Sequence, residues 1–582
     1  MSRAVHPSSG VITIGGKSES KDESFKLSDL QSCRKYVAFL TVVYFLMVLT
    51  QVCNLLFMTF AGQTFPLLFE IYRKPTIKDF CSKQYPEYIA TKNCSSTGSC
   101  WVFINESKVL CTTSHYDFIS IRNDFEVPVE YVKLGTTLQN VGLMIGAIVA
   151  GNLADIYGRK KVLFIGTTGM MISLLATSFA PSFVIFTFLR FFDMLFTGGK
   201  HCVSNPYFME NLPDKHRMWI ATVVTYSPNY IILSGIAYFC NDWKTLSRVA
   251  AGLTVLPLLM IPYLKDTPRW LIRKGRSKKA VEAAIYIERW DKKVSPDKAK
   301  HISYIIAKSV EEEIEKSSKP NLNYYFYHLF TDRKLGSYTI VFAISLFSTS
   351  FISYGIAYNM DALAGTVYMN VVILGVARYS INVIAAILEF TVERVGRRLL
   401  HCVSAGFIVV MMGVVSIIYL FTWHQIEEYK AIIEAGGQGD PLIHAIVTFT
   451  RYSSLLAAAM CTELFVLNSV QPTELFPTPI RGAGIAFIQT FNRLGTIISP
   501  LIFIPSKHWP PAPFFLMLIT SLADFLLYFF IIPETRGKKL PDRMPGEELE
   551  KEELTSRKPA VCATTNFPPL KNIHTIKLNA SY

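Results

Sequence analysis

A chain of 582 residues, 51% of them hydrophobic and with a positive mean hydropathy, carries more apolar side chain than one soluble core buries. The net charge of +14 would suit a polyanion, but the cations sit beside apolar stretches: Arg34 and Lys35, Arg159 to Lys161, Lys265 to Lys279, Arg394 to Arg398, and Arg536 to Lys539. Such placement follows the positive-inside rule, so the charge reports topology, no nucleic-acid partner is expected, and the class is an all-α membrane protein in contact with lipid.

The opening tail, residues 1–35, is polar through Lys26 and is expected to be disordered in the cytosol. The first apolar stretch follows thirty-odd polar residues and is too long for a signal-peptide core, so it is read as retained. Twelve stretches approach or exceed the roughly 20 residues that cross a hydrocarbon layer about 30 Å thick. In the first half, residues 36–264, they are Tyr36 to Phe60, Leu134 to Leu153, Leu163 to Ala180, Ser182 to Ser204, Trp219 to Phe239 and Ser247 to Leu264. In the second half, residues 335–533, they are Leu335 to Tyr354, Gly365 to Phe390, Leu399 to Phe421, Leu442 to Asn468, Gly482 to Ile504 and Phe514 to Ile532. All the cation clusters fall on one side, which puts both termini in the cytosol.

Between the first two stretches, the polar loop 63–133 is expected outside the cell. It holds Cys81, Cys94, Cys100 and Cys111, an even cluster on the oxidising side that reads as two disulfides with three pairings open. It also holds Asn93 and Asn105, each in a glycosylation sequon. A third sequon at Asn579 lies in the cytosolic closing tail, 534–582, and is read as accidental.

After the second stretch, Gly151, Asp155 and Gly158 run into Arg159, Lys160 and Lys161; after the eighth, Glu393, Gly396, Arg397 and Arg398 repeat the theme. Gly permits an unusual backbone turn, and Asp155 can pair with those cations or with a helix N-terminus. The repetition marks an internal duplication into two pseudo-symmetric six-helix bundles. The loop joining them, 265–334, has amphipathic spacing over Ser277 to Lys292 and Lys298 to Lys316, suited to helices along the membrane face or beneath the bundle. No phosphate-binding loop, no His-Glu-x-x-His pair and no nucleophile elbow is evident, so neither an enzyme nor any cofactor or metal is expected.

Three further segments carry a family resemblance. Asp266 to Arg276, with Arg269, Trp270 and Gly275, resembles the signature after the sixth helix of the major facilitator superfamily and, within it, of solute carrier family 22, the organic cation, anion and zwitterion transporters. Thr473 to Gly484 resembles the signature between the tenth and eleventh helices, and Pro533 to Asp542 the one ending the twelfth. The Cys-bearing outer loop favours this family over sugar porters, and the resemblance spans roughly Tyr36 to Asp542. It implies two rocking bundles around a midplane pocket, with Asp155, Arg159, Glu210, Arg217, Glu393, Arg397, Glu474 and Arg481 as a cytosolic latch.

Charges within the stretches are functional candidates, since each costs about 2.5–3.5 kcal/mol near the bilayer centre. Arg493 lies about 16 Å into its stretch, Arg378 reaches a similar depth, and Arg451 lies nearer the outside. Arg493 is similar to the arginine that anion and zwitterion members carry where cation members have aspartate. Cation members have a carboxylate near Arg378, ahead of a proline absent here. Asp524 is expected to be able to neutralise Arg451 or Arg493, and Arg190 and Asp193, three apart, to satisfy each other. Glu463 and Glu389 fall nearer the cytosolic end, as gate elements. Phe351 and Tyr354 resemble the family's substrate-contacting aromatic stretch, with Tyr226 and Tyr230 as further candidates.

The expected function is a polyspecific plasma-membrane carrier of small organic ions, anions favoured, working as an exchanger or uniporter with a counter-transported ion as a partner. Alternatives are an organic cation or carnitine-like zwitterion carrier, using Glu463, Glu389 or Asp193, and a non-transporting receptor of the same fold.

Overall fold

The structure, a computed structural model, describes residues 35–62, 93–94, 100–104, 107–110, 118–213, 226–290, 294–318, 326–392, 396–434 and 439–536. Helices dominate it. In the first half they are α1 (Lys35–Ala61), α2 (Val129–Tyr157), α3 (Arg159–Thr177), α4 (Phe183–Asn211), α5 (Ser227–Phe239) and α6 (Trp243–Met260). In the second they are α7 (Arg333–Tyr358), α8 (Val367–Thr391), α9 (Arg397–Glu434), α10 (Pro441–Leu475), α11 (Arg481–Ile498) and α12 (Ala512–Ile531).

Polar side chains one residue before the helix satisfy backbone donors where several of these begin. Ser182 accepts from the Ile185 N–H at 3.5 Å, Asp242 from Thr245 at 2.5 Å, Asp332 from Leu335 at 3.0 Å, and Thr366 from Met369 at 3.3 Å. In an apolar solvent such orphan donors have no water to fall back on, so caps set the helix starts.

Among the described residues, nine helices are long and apolar enough to cross a membrane by length and composition. The other three expected stretches are occupied by α3, α4 and α5. The first opens on three cations, the second carries Arg190, Asp193 and Lys200 inside it, and the third begins at the edge of the described residues.

Two differences from the sequence expectation stand out. The loop between α1 and α2 contains a three-stranded antiparallel sheet, β1 (Asn93–Cys94), β2 (Cys100–Ile104) and β3 (Ser107–Leu110), a small addition to an architecture that is all-α as expected. Several helices also outrun their apolar stretches: α2 starts at Val129, inside the expected loop, and α9 and α10 run on to Glu434 and Leu475. Backbone hydrogen bonding continues into polar sequence as long as side chains reach water, which hydropathy does not register.

Helices α2 and α4 approach closely because glycines face each other: a Cβ on Gly146 would lie 1.9 Å from the Leu195 carbonyl oxygen, and one on Gly198 2.1 Å from that of Leu143. Between the halves, helices Ser277–Arg289 and Pro296–Ser318 pack with Trp270, Leu271 and Ile272 around Ala280, Ala283, Ile302 and Ile306. Trp290 then docks on Tyr36 and Phe39 of α1, with ring centroids at 5.8 and 4.8 Å.

Candidate functional site

Charged groups cluster at the membrane-helix ends that carry the duplicated turn. Gly158, with φ 105°, makes the α2–α3 turn, and a Cβ there would meet the Asp266 carboxylate at 3.2 Å. Asp266 accepts the Lys160 N–H at 2.9 Å, capping α3 from the segment after α6. Arg159 pairs with Glu210 at 2.5 Å, and Thr267 donates to the same carboxylate at 2.7 Å.

The second half repeats this. Glu534, after α12, accepts the N–H groups of Arg397 at 3.0 Å and Arg398 at 3.1 Å, capping α9, and also those of Thr535 and Arg536. Burial pushes the Glu534 carboxyl up, but those backbone donors, Arg536 foremost, outweigh it and hold it below the usual carboxylate range. Arg397 pairs with Glu474 and with Glu389 at 3.3 Å. Thus Arg159, Glu210 and Asp266 correspond to Arg397, Glu474 and Glu534.

Among the described residues the Asp155 side chain forms no hydrogen bond or ion pair, so it does not pair with Arg159, Lys160 or Lys161 as the sequence suggested. It is exposed, its backbone carbonyl accepts from Trp270 Nε1 at 3.3 Å, and the capping and pairing roles fall to Asp266 and Glu210. Arg481 donates to the Phe476 carbonyl at 3.1 Å and to Thr478 at 3.3 Å, so it ties the α10–α11 turn. Arg217, Glu393, Cys81, Cys111 and Asn105 lie outside the described residues. Asn93, Cys94 and Cys100 lie in the small sheet, where Cys94 is the cross-strand partner of Cys100.

At the opposite ends the two halves touch. Thr59 donates to the Ala357 carbonyl at 2.9 Å, and Lys133 to that of Tyr358 at 3.2 Å, with Asp361 at 3.7 Å. The Tyr358 hydroxyl donates to Asn140 at 3.2 Å, and Asn140 donates to the Thr496 carbonyl at 3.1 Å. Lys507 of the second half reaches Glu130 of the first at 3.1 Å. No ion pair joins the halves at the duplicated-turn end among the described residues.

Between these ends lies a region lined from both halves. Arg378 of α8, 7% exposed, donates to the Tyr230 hydroxyl of α5 and to Ser353 of α7, each at 2.6 Å, and to the Ala458 carbonyl of α10 at 3.5 Å. No carboxylate bonds it among the described residues. The half-buried Arg493 of α11 has no hydrogen bond or ion pair among the described residues, and its charge acts on His201 of α4, on Tyr226 just before α5 and on Tyr354 of α7. The Tyr226 hydroxyl lies 2.6 Å from His201 Nδ1. Tyr354 stacks on Tyr358 at 5.9 Å, and Phe351, buried, on Phe347 at 5.7 Å.

Asp524 neutralises neither Arg451 nor Arg493. It sits beside His401 of α9, Oδ1 to Nε2 3.5 Å, which a sequence reading of the twelfth stretch alone could not find. Arg451 donates to Asn370 at 2.7 Å and packs on Gly365, pinning the α7–α8 connection rather than facing the centre. Arg190 and Asp193 do satisfy each other. Lys200, His201 and Lys133 were missed; Lys200 was legible as an ionised residue inside an apolar stretch.

The family profile for sugar (and other) transporters matches residues 105–543. The chain is 25% identical over 421 residues to solute carrier family 22 member 6-A of Xenopus laevis, covering 72% of this chain and 69% of that protein. It is 25% identical to human solute carrier family 22 member 11 over 414 residues, 70% and 69% of the two chains. The inward open conformation of the xylose transporter XylE from E. coli superposes with TM-score 0.56 at 14% identity, covering 89% of this chain and 99% of that one. XylE bound to 6-bromo-6-deoxy-D-glucose gives 0.53 at 15%, with the same coverage.

Proposed function

The chain belongs to the sugar (and other) transporter family of the major facilitator superfamily, a multi-pass membrane transporter and not an enzyme, and on that premise we propose that it carries small organic ions by alternating access and favours anions. The observation that carries the anion preference is Arg378: a buried guanidinium held, among the described residues, by neutral oxygens alone, in a region where Arg493 adds a second cation. A buried charge without a counterion is costly and strongly attracts one, and a site among low-dielectric walls focuses its field on an arriving anion. Of the carboxylates that a cation carrier would need, Asp193 is engaged with Arg190 and Glu389 with Arg397, while the buried Glu463 of α10 has no hydrogen bond or ion pair among the described residues and is the one group that favours the cation or zwitterion alternative. Tyr230, Tyr354 and Phe351 supply flat apolar surface for the rest of the substrate.

The remaining assignments belong to the same proposal. The chain crosses the plasma membrane twelve times, as two six-helix bundles with both termini cytosolic. The duplicated turns mark the cytosolic side, so the bonds between Thr59, Lys133, Asn140 and the second half form a closed outer gate, and the exposed Asp155 an open inner one. The register that sets Cys94 opposite Cys100 supports a disulfide between them, because opposed strand residues lie within bridging distance, and leaves Cys81 for Cys111. Asn93 and Asn105 carry glycans.

Uptake of labelled toluenesulfonate, tetraethylammonium and trimethylglycine into cells expressing the protein tests the reading. Toluenesulfonate uptake above that of the other two is expected; uptake of tetraethylammonium alone contradicts it.

A further inference from the structure

Away from the region around Arg378, the second half holds a small cavity at the helix ends opposite the duplicated turns. Arg451 of α10 lines it, together with Tyr419 and Lys430 of α9 and with Ala362, Leu363 and Ala364 of the α7–α8 connection. It has room for a single body the size of a water molecule or a small ion, so no organic substrate fits. Arg451 donates from Nε to the Asn370 side-chain oxygen at 2.7 Å. Asn370 is fully buried, and its amide donates in turn to the Met360 and Ala364 carbonyls at 3.4 and 3.3 Å, so one residue fixes both the arginine and the connection. The guanidinium also lies against Gly365, where a Cβ would fall 2.5 Å from Arg451 Cζ and where φ is 82°.

That placement leaves both terminal nitrogens of Arg451 without a hydrogen bond or ion pair among the described residues. No carboxylate among them lines the cavity either; Asp361, one residue before Ala362, pairs with Lys133 of α2 at 3.7 Å. The remaining wall includes Val447 and Phe514, and the Phe514 ring holds that of Tyr419 with centroids 4.4 Å apart. A cation set in such a wall gains from a counterion small enough to enter, and the exposed Lys430 adds positive potential at the mouth. The same connection carries the outer gate: Lys133 donates to the Tyr358 carbonyl and pairs with Asp361, and the cavity begins at the next residue.

We infer that this cavity binds a small inorganic anion at Arg451, apart from the substrate region, and that its occupancy holds the α7–α8 connection where it closes the outer gate. The regulatory half of the inference rests on the closed-gate reading above; the site itself does not. With the anion in place the guanidinium is neutralised and the connection stays against α10. Without it the guanidinium must draw in water to be solvated, which loosens the contacts that position Asp361 for Lys133.

The test uses the purified full-length chain in detergent, with sodium chloride exchanged for sodium gluconate at constant ionic strength, gluconate being too large for the cavity. The unfolding midpoint of the parent is expected to rise with chloride and to saturate. Arg451→Lys, which keeps the charge but not the bond to Asn370, should need about tenfold more chloride, the loss of one charge-assisted hydrogen bond. Arg451→Gln should show no chloride response. Should that variant fail to fold, Lys430→Glu, which sets a carboxylate at the mouth from an exposed position, should abolish the response as well. An unresponsive parent overturns the site. So does a full response in Arg451→Gln or Lys430→Glu, which would put the chloride elsewhere, such as beside Arg378 and Arg493. The gate is read separately in cells expressing Thr136→Cys. External chloride should slow its labelling by a membrane-impermeant thiol reagent several-fold relative to gluconate, and Arg451→Gln should remove the difference. Equal labelling in the two salts, with the midpoint response intact, overturns the coupling to the gate.

Discussion

Arg378 of α8 and Tyr230 of α5 form a bond between the two halves of the chain: the guanidinium donates to the phenol oxygen at 2.6 Å and its carbon lies 4.8 Å from the ring centroid. A substrate anion that enters the site must compete with, or add to, the neutral oxygens already there. Substituting Arg378→Gln should remove a charge-assisted hydrogen bond of about 1.5–3 kcal/mol, weakening anion affinity by roughly 10- to 100-fold. Tyr230→Phe removes only one neutral acceptor and should cost about 1 kcal/mol, roughly fivefold. Concentration dependence of toluenesulfonate uptake, normalised to surface protein, measures both. Equal affinities in parent and both variants would place Arg378 outside the binding site.

The two capping carboxylates, Asp266 and Glu534, should anchor the duplicated turns. Glu534, held below the usual carboxylate range by four backbone donors, stabilises the fold fully above the unfolded value of about 4.3 and loses that contribution only as pH falls through its lower folded value. Glu534→Gln should therefore lower the unfolding midpoint at neutral pH, and the gap from the parent should close in acid. A gap that persists unchanged in acid would show that the loss comes from packing and not from the charge.

How much of this was legible in the sequence depends on whether partners lay on the same element. Arg190 and Asp193 are one turn apart, so their pairing followed from spacing alone. Asp266 and Lys160 are joined across 106 positions, and Glu534 and Arg397 across 137, distances over which spacing carries no information. For the same reason Asp155 looked like the capping acid: it was the nearest in sequence, but Asp266 is the nearest in space. Arg378 and Arg493 were identifiable because an ionised residue inside an apolar stretch is conspicuous. That Arg378 would find Tyr230, Ser353 and the Ala458 carbonyl depended on how four helices assemble.

The outer gate should loosen when Lys133, 7% exposed, loses its charge. Lys133→Met removes the bonds to Tyr358 and Asp361, so outward-open molecules should become more frequent. A cysteine placed at Thr136, one turn further in and buried, should then react several-fold faster with a membrane-impermeant thiol reagent applied outside. No change in labelling rate would show that these bonds do not hold the gate.

The outer loop should be oxidised and glycosylated. Peptide mapping of the non-reduced protein is expected to link Cys94 to Cys100 and Cys81 to Cys111, and glycosidase should shift the mass of the parent but not of an Asn93→Gln, Asn105→Gln double variant. Four free thiols in that loop would contradict its outside placement.

Arg493 bears most directly on charge selection, because its side chain is half-buried, makes no bond among the described residues, and places its charge within reach of His201, Tyr226 and Tyr354. The decisive measurement is uptake of labelled toluenesulfonate and tetraethylammonium by the parent, Arg493→Lys and Arg493→Asp, normalised to surface protein. The parent should prefer the sulfonate. Arg493→Lys should keep part of that preference, having the charge but not the planar fork, and Arg493→Asp should lose it and let tetraethylammonium compete. A parent that carries only tetraethylammonium, or three proteins with the same sulfonate affinity, would contradict the assignment of this chain as an anion-preferring carrier.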